Sequence, residues 1–256
     1  MAAPRTLKTR HERRLEARVA QRAAPRRATR PSGRRAGLGL GTLSIVGVIG
    51  GVAIVALAMV LGGSPKAPAS SVELAFAPRG IPTDGFVVGR ADAPVTVDLF
   101  EDFQCPACRS WGQSVFPRLV ANELANGTVK VVFHNLAFLG PESVVAAHAA
   151  YAAERQGRFW DMWASLYANQ GRENSGAFDR ARLVEIATGL GLDVGRFEQD
   201  MDSAGAEGAL SASIAAGDAA GVTSTPTLLI AGTAFTGVRP YPDVAAAIAA
   251  AAAAAP

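Results

Sequence analysis

The sequence predicts an α/β domain in which a central mixed sheet carries an all-helical insertion, the whole preceded by a single transmembrane helix. Three observations lead there. The run Gly37–Leu61 is apolar and uncharged over a length that spans a bilayer. Short apolar, β-branched segments of strand character lie at 95–100, 128–133, 227–231 and 233–236. Between the second and third of these, from Pro141 to Gly221, the apolar spacing turns helical. Strand, helix, strand, inserted helices, hairpin and final helix, in that order, place helices on both faces of a mixed sheet.

The formal net charge of +3 is the sum of two opposed regions. Residues 1–36 hold twelve Lys and Arg against Glu12 and Glu16, whereas residues 37–256 hold thirteen against twenty acids. The first region is expected to be a disordered basic tail, since its composition gives no packed core. Arginines clustered before an apolar span orient that tail to the cytoplasm. Such clusters also bind nucleic acid, but this one lacks interleaved aromatics and adjoins a span. Contact with anionic lipid is therefore the reading adopted, and no nucleic-acid partner is expected.

At about 1.5 Å rise per residue, Gly37–Leu61 crosses a hydrocarbon core of roughly 30 Å as one helix. A cleaved signal peptide would have a shorter apolar stretch, and Pro68 within Ala67-Pro68-Ala69 disfavours cleavage there. An uncleaved single-pass anchor in the cell membrane is expected, with everything after Leu61 outside the cytoplasm. Gly, Pro, Ser and Ala dominate residues 62–71, so 62–83 reads as a linker and 84–256 as the folded domain.

Within that domain, Val95, Val97 and Leu99 alternate with Thr96 and Asp98 as the first strand. The segment Arg109–Asn126 has Trp111, Val115, Phe116, Leu119, Val120 and Leu124 at helical spacing. Pro117 implies a kink, and Asn126-Gly127 a stop. Residues 128–133 then form a second, buried strand. The insertion, about 141–221, divides into helices at 143–156, 157–169, 178–189 and 194–217. Phe159, Trp160, Trp163 and Tyr167 fall on one helical face and read as core. After the hairpin at 227–236, Pro242-Asp243 starts a final alanine-rich helix over 241–255.

The only cysteines are Cys105 and Cys108, in Cys105-Pro106-Ala107-Cys108, directly after the first strand. No distant thiol remains for a structural staple, and so tight a loop gains little from closing a disulfide. A structural zinc would need four ligands, and His11, His134 and His148 are the only histidines, so no metal is expected. Whether His134 or His148 approaches the cysteines is open at this level. The remaining chemistry is thiol–disulfide exchange, which needs a thiolate in a place that favours negative charge. A helix N-terminus is such a place, so Cys105 is the candidate nucleophile and Cys108, one turn on, the resolving thiol. Pro106 fits the first helical position, where its missing N–H costs nothing.

With these residues in view, the chain from about Asp84 to Ala252 resembles the DsbA-like branch of the thioredoxin superfamily. The resemblance rests on Ala93-Pro94-Val95, on Glu101-Asp102-Phe103-Gln104 leading into Cys105-Pro106-Ala107-Cys108, on Gln156-Gly157-Arg158-Phe159-Trp160, and on Gly221-Val222-Thr223-Ser224-Thr225-Pro226-Thr227. It implies a thioredoxin-like fold, a cis Thr225–Pro226 bond facing the cysteines, and a Thr225 backbone that pairs with extended substrate peptides. It also makes Pro106 and Ala107 the positions that tune the redox pair. Two departures stand out. Ala107 takes a place where the best-known relatives carry His, so a strongly oxidising potential is not implied. Leu99 stands six residues before the nucleophile, where relatives often bury an acid, and either Glu101, Asp102 or water is left to move the proton of Cys108.

The function the resemblance implies is that of an extracytoplasmic thiol–disulfide oxidoreductase, needing no cofactor, that donates a disulfide to thiol-containing proteins outside the cytoplasm. A membrane partner of the DsbB or VKOR-like type would reoxidise it. A reductase or isomerase, or a non-catalytic peptide-binding module, uses the same fold and stays open.

Overall fold

Alternation of Val95, Val97 and Leu99 with polar residues builds the central strand of a six-stranded sheet, in a computed structural model that describes residues 77–255. The strands are β1 (Thr83–Asp84), β2 (Val87–Gly89), β3 (Val95–Glu101), β4 (Val129–Asn135), β5 (Thr227–Ile230) and β6 (Thr233–Thr236). Their spatial order is β1-β2-β4-β3-β5-β6. Only β3 and β4 run parallel, and the four other pairs are antiparallel, so the sheet is mixed as the element order implied.

The helices are α1 (Pro106–Ser114), α2 (Phe116–Leu119), which continues into a π-helical turn (Val120–Leu124), α3 (Pro141–Glu154), α4 (Phe159–Ala168), α5 (Arg180–Gly189), α6 (Val194–Met201), α7 (Ala204–Ala219) and α8 (Tyr241–Ala254). The expected kink at Pro117 is present, at Val115, which keeps helical backbone angles (φ −106°, ψ −49°) between α1 and α2. Pro117 has no N–H to offer the carbonyl four residues back, and α1 ends at Ser114, with Val115 as its C-cap, before α2 begins with that proline in its first turn.

The segment expected as one helix over 194–217 is two, α6 and α7. Ser203 starts the second by accepting a hydrogen bond from the Ala206 N–H through its hydroxyl, at 3.2 Å. The β1–β2 hairpin was not expected at all. Its signal is Asp84-Gly85, with Gly85 at φ +54°, a backbone region glycine enters without strain. The segment 77–83, which its composition places in the linker, is tied to the domain: Ala77 is buried, and the Gly89 N–H donates to the Pro82 carbonyl.

Odd-numbered residues of β3 and β4 face the thicker layer. There Leu99, Val97, Val131 and Phe133 meet α1, α2 and α4, with Phe116 stacked on Trp160 and Phe133 packed on Phe103 and Phe159. Gly112 of α1 lies where a Cβ would sit 3.1 Å from the Trp163 ring, so α1 and α4 approach as closely as glycine allows. On the opposite face Gly217 of α7 covers Phe100 and Leu136. The basic tail, the apolar run Gly37–Leu61 and most of the linker lie outside the described residues. Among those described, no helix is long and apolar enough to cross a membrane.

Candidate active site

Strand β3 ends at Glu101, and the chain turns through Asp102, Phe103 and Gln104 before α1 begins. Cys105 is the N-cap of α1, with extended backbone angles (φ −76°, ψ 117°) and Pro106 in the first turn. An N-cap side chain faces the free N–H groups of the first turn, and here that side chain is a thiol. Both cysteines are thiols in this structure. Cys105 keeps 8% of its surface exposed and Cys108 none.

That difference decides their acidities. The Cys108 thiol hydrogen-bonds the Cys105 sulfur, a Thr225 side-chain bond and the N–H groups of Cys108 and Ala107 add to it, and together they outweigh burial and bring Cys105 down to about 6. Burial, followed by the bond to Cys105 and the charge of Glu101, pushes Cys108 well up. Alkylation by iodoacetamide should therefore modify Cys105 with half-maximal rate near pH 6, while Cys108 stays unmodified up to pH 9. Mass spectrometry of the labelled peptide checks both.

The structure brings all six residues singled out from the sequence to one place. Thr225–Pro226 is cis, and the Cys105 Sγ lies 3.5 Å from the Thr225 carbonyl oxygen. Pro226 is buried, with its carbonyl taken by the Gly237 N–H. No backbone partner among the described residues takes the Thr225 N–H. The two described histidines are elsewhere. His134 pairs with Asp98 at 2.9 Å and stacks on Phe100 on the far face of the sheet, and the His148 Nε2 lies 3.5 Å from Glu207.

The two acids left open by the sequence separate by strand geometry. Glu101 shares a face with Leu99, two residues earlier, and so points beneath the cysteines. It is fully buried, and its Oε2 accepts hydrogen bonds from Trp163 Nε1 at 2.9 Å and the Tyr167 hydroxyl at 3.1 Å. Burial raises its carboxyl to about 8 against those two donors. Asp102 serves the turn instead. It accepts from the Gln104 N–H at 2.8 Å, the Ser143 hydroxyl at 2.6 Å and the Leu139 N–H at 2.9 Å.

Sequence reasoning missed a clamp from the insertion. Gln170 donates from Nε2 to the Phe103 and Cys105 carbonyls at 2.7 and 3.0 Å. Asn174 donates its N–H to Gln104 Oε1 at 2.6 Å, and Gln104 Nε2 donates to the Ser143 hydroxyl and to Asn174 Oδ1. Gln170 and Asn174 lie more than sixty residues from the turn, and no local pattern marks them. Trp163 and Tyr167, read as core, are core on one side and hydrogen-bond donors to Glu101 on the other.

Comparison with known proteins matches the same region. The Thioredoxin_4 family, described as thioredoxin, matches residues 82–250. A probable disulfide bond formation protein D of Bacillus cereus is 35% identical over 120 residues, 45% of this chain and 56% of that protein. The chain thus spans about half the length of the curated relatives it matches. Among solved structures, oxidised BdbD from Bacillus subtilis superposes with a TM-score of 0.62 at 23% identity, over 68% of this chain and 97% of that one. At that identity the likeness shows the fold alone. A thioredoxin-like oxidoreductase from Silicibacter pomeroyi gives a TM-score of 0.59 at 26% identity, over 73% of this chain and all of that one.

Proposed function

Because the chain belongs to the thioredoxin family, we propose that it is an extracytoplasmic thiol–disulfide oxidoreductase that donates the Cys105–Cys108 disulfide to proteins bearing free thiols. One observation carries this reading: an acidified thiol at the head of α1 stands over a buried, weakly acidic one, beside Thr225. The arginine-rich tail and apolar run before the domain support a single-pass anchor in the cell membrane with the domain outside.

In the forward reaction a substrate thiolate attacks the Cys105 sulfur of the disulfide. The S–S bond breaks, and Cys108 leaves as a thiolate. Burial makes that anion unfavourable, so it takes a proton, which Glu101 beneath it is placed to give. A second substrate thiolate then attacks the substrate sulfur of the mixed disulfide, and Cys105 leaves as a thiolate stabilised by its helix. The substrate dithiol is oxidised by two electrons and the protein pair reduced by two. Thr225, next to Pro226, presents its main chain to an extended peptide, which suits many client sequences. Reoxidation reverses the proton's path and calls for a membrane electron acceptor of the DsbB or VKOR-like type.

A Cys105 acidity of about 6 lies between those of thioredoxin, near 7, and DsbA, near 3.5. With Ala107 contributing no charge, the potential should fall between about −270 and −120 mV. Equilibration of the protein against a glutathione series measures it, and a value below thioredoxin's would assign the chain to the reductive direction. The Cys108→Ala variant, incubated as a mixed disulfide with a model thiol, should retain that adduct on Cys105. Release at the wild-type rate would remove Cys108 from its resolving role.

A further inference from the structure

Glu101 is fully buried, yet after giving its proton to Cys108 it regains one from water, because its carboxyl is held at about 8, and it must shed that proton again before it can take the one Cys108 releases on reoxidation. The side on which the sulfurs lie offers no exit at the moment of need. Cys108 is fully buried, and in the mixed disulfide the substrate itself covers Cys105. Solvent must be reached the other way.

On that other side stands Asn135. The parallel pairing of β3 and β4 sets it directly beside Glu101, on the same face of strands about 4.8 Å apart. Its side chain is 6% exposed, and neither its Oδ1 nor its Nδ2 has a hydrogen-bond partner, nor has Oε1 of Glu101. Among the described residues the other buried side-chain atoms in that condition are Trp111 Nε1, His148 Nε2 and Asp200 Oδ2, and the last two have ion-pair partners at 3.5 and 3.4 Å. Unsatisfied polar groups are thus concentrated on one adjacent pair. Each costs stability, and a leucine in place of Asn135 would avoid the cost.

Asn135 also lines a cleft between α3, α7 and β4. Phe133, Ala147 and Ala150 form its apolar walls, and half-buried Tyr151 and Ser213 lie on it. Its volume of about 20 Å³ exceeds the ~10–15 Å³ that one water needs.

We propose that Asn135 and this cleft are the route by which Glu101 exchanges its proton with solvent, through a water that bridges Glu101 Oε1 and the Asn135 amide. Asn135 is then a positioning residue: its Nδ2 donates to the water and its Oδ1 accepts from it, and the proton passes between carboxyl and water. The inference rests on the assignment of Glu101 as proton partner of Cys108.

The test is single-turnover oxidation of the reduced full chain in detergent by excess oxidised glutathione, the step in which protonated Glu101 must first shed its proton, followed by tryptophan fluorescence from pH 6 to 8 in H2O and D2O. The titrating groups around Glu101 are Cys105 at the N-cap of α1 and Cys108 within it, Tyr167 from α4 and Asp102 beyond β3, and all are retained in every variant. Asn135→Leu should slow the reaction about tenfold and enlarge the solvent isotope effect while its melting temperature stays level or rises. Asn135→Ser, which leaves room for water, should stay within about twofold of wild type. Ser213→Trp, which plugs the cleft from the surface, should slow the reaction as Asn135→Leu does. Wild-type rates and isotope effects in both Asn135→Leu and Ser213→Trp overturn the route, as does equal slowing in Asn135→Ser. Glu101→Gln separates the two levels. If it too reacts at the wild-type rate, the proton-partner assignment fails and takes the route with it; if it alone is slow, only the route fails.

Discussion

Replacing Cys105 by Ser is expected to lower the oxidation of a dithiol peptide by at least ~10³-fold, because the substituted oxygen cannot form the exchangeable bond on which the whole cycle turns. The fold should survive. Serine is a close isostere, an accepted N-cap residue, and the site is at the edge of the core rather than inside it. Circular dichroism and the peptide assay, run on one preparation, distinguish this from unfolding. Activity within tenfold of wild type would leave a peptide-holding module as the better description of the domain.

The second large effect concerns Glu101 and is read in stability. Its carboxyl titrates at about 8 in the fold against 4.5 when free. Below pH 4.5 both folded and unfolded chains hold the proton, and nothing is lost. Between 4.5 and 8 the unfolded chain has released it and the folded chain has not, so stability falls as pH rises, by about 1.4 kcal/mol per unit and about 5 kcal/mol in all. Cys105 acts in the opposite sense. Its thiol is held at about 6 against 9, so the reduced fold gains stability as pH rises from 6 to 9.

In the reduced wild-type protein the two trends offset each other between pH 6 and 8. Glu101→Gln keeps an acceptor for Trp163 and Tyr167 and removes the titration. Its stability should therefore be level from pH 4.5 to 6 and rise above 6, with a gain over wild type of several kcal/mol at pH 8. Cys105→Ser should show the converse, a steady fall from pH 4.5 to 8. Urea unfolding at intervals of one pH unit checks all three proteins. A parallel dependence in wild type and Glu101→Gln would mean that the carboxyl is ionised in the fold. The same Gln variant should slow the exchange at Cys108 by about 10²-fold, the lower range for loss of a positioned acid–base group.

Much of this was legible in the residues. Period-two strands, the cysteine pair at a strand-to-helix turn and the Thr225-Pro226-Thr227 segment locate the central sheet and the sulfur chemistry, because each is a local pattern with a local cause. The choice between Glu101 and Asp102 stayed open in the sequence and is made by the structure, where Glu101 ends β3 on the side of Leu99 and Asp102 lies in the turn beyond it. What the sequence did not reveal is long-range. Nothing near Gln170 or Asn174 announces that each reaches back to the turn before α1. The split between α6 and α7 was missed because the small, alanine-rich residues of 204–219 give a weak periodic signal, while the one strong marker, Ser203, is a cap. The β1–β2 hairpin was missed because two- and three-residue strands are too short to show alternation.

The clamp made by Gln170 and Asn174 bears on any attempt to transplant the redox turn. A designer who grafted residues 101–108 onto a minimal sheet-and-helix scaffold would leave the carbonyls of Phe103 and Cys105, and the amide of Gln104, reaching for hosts that stayed behind. The helical insertion is in this sense the other half of the cysteine loop. A portable version of the site would have to carry both segments, though they are far apart along the chain.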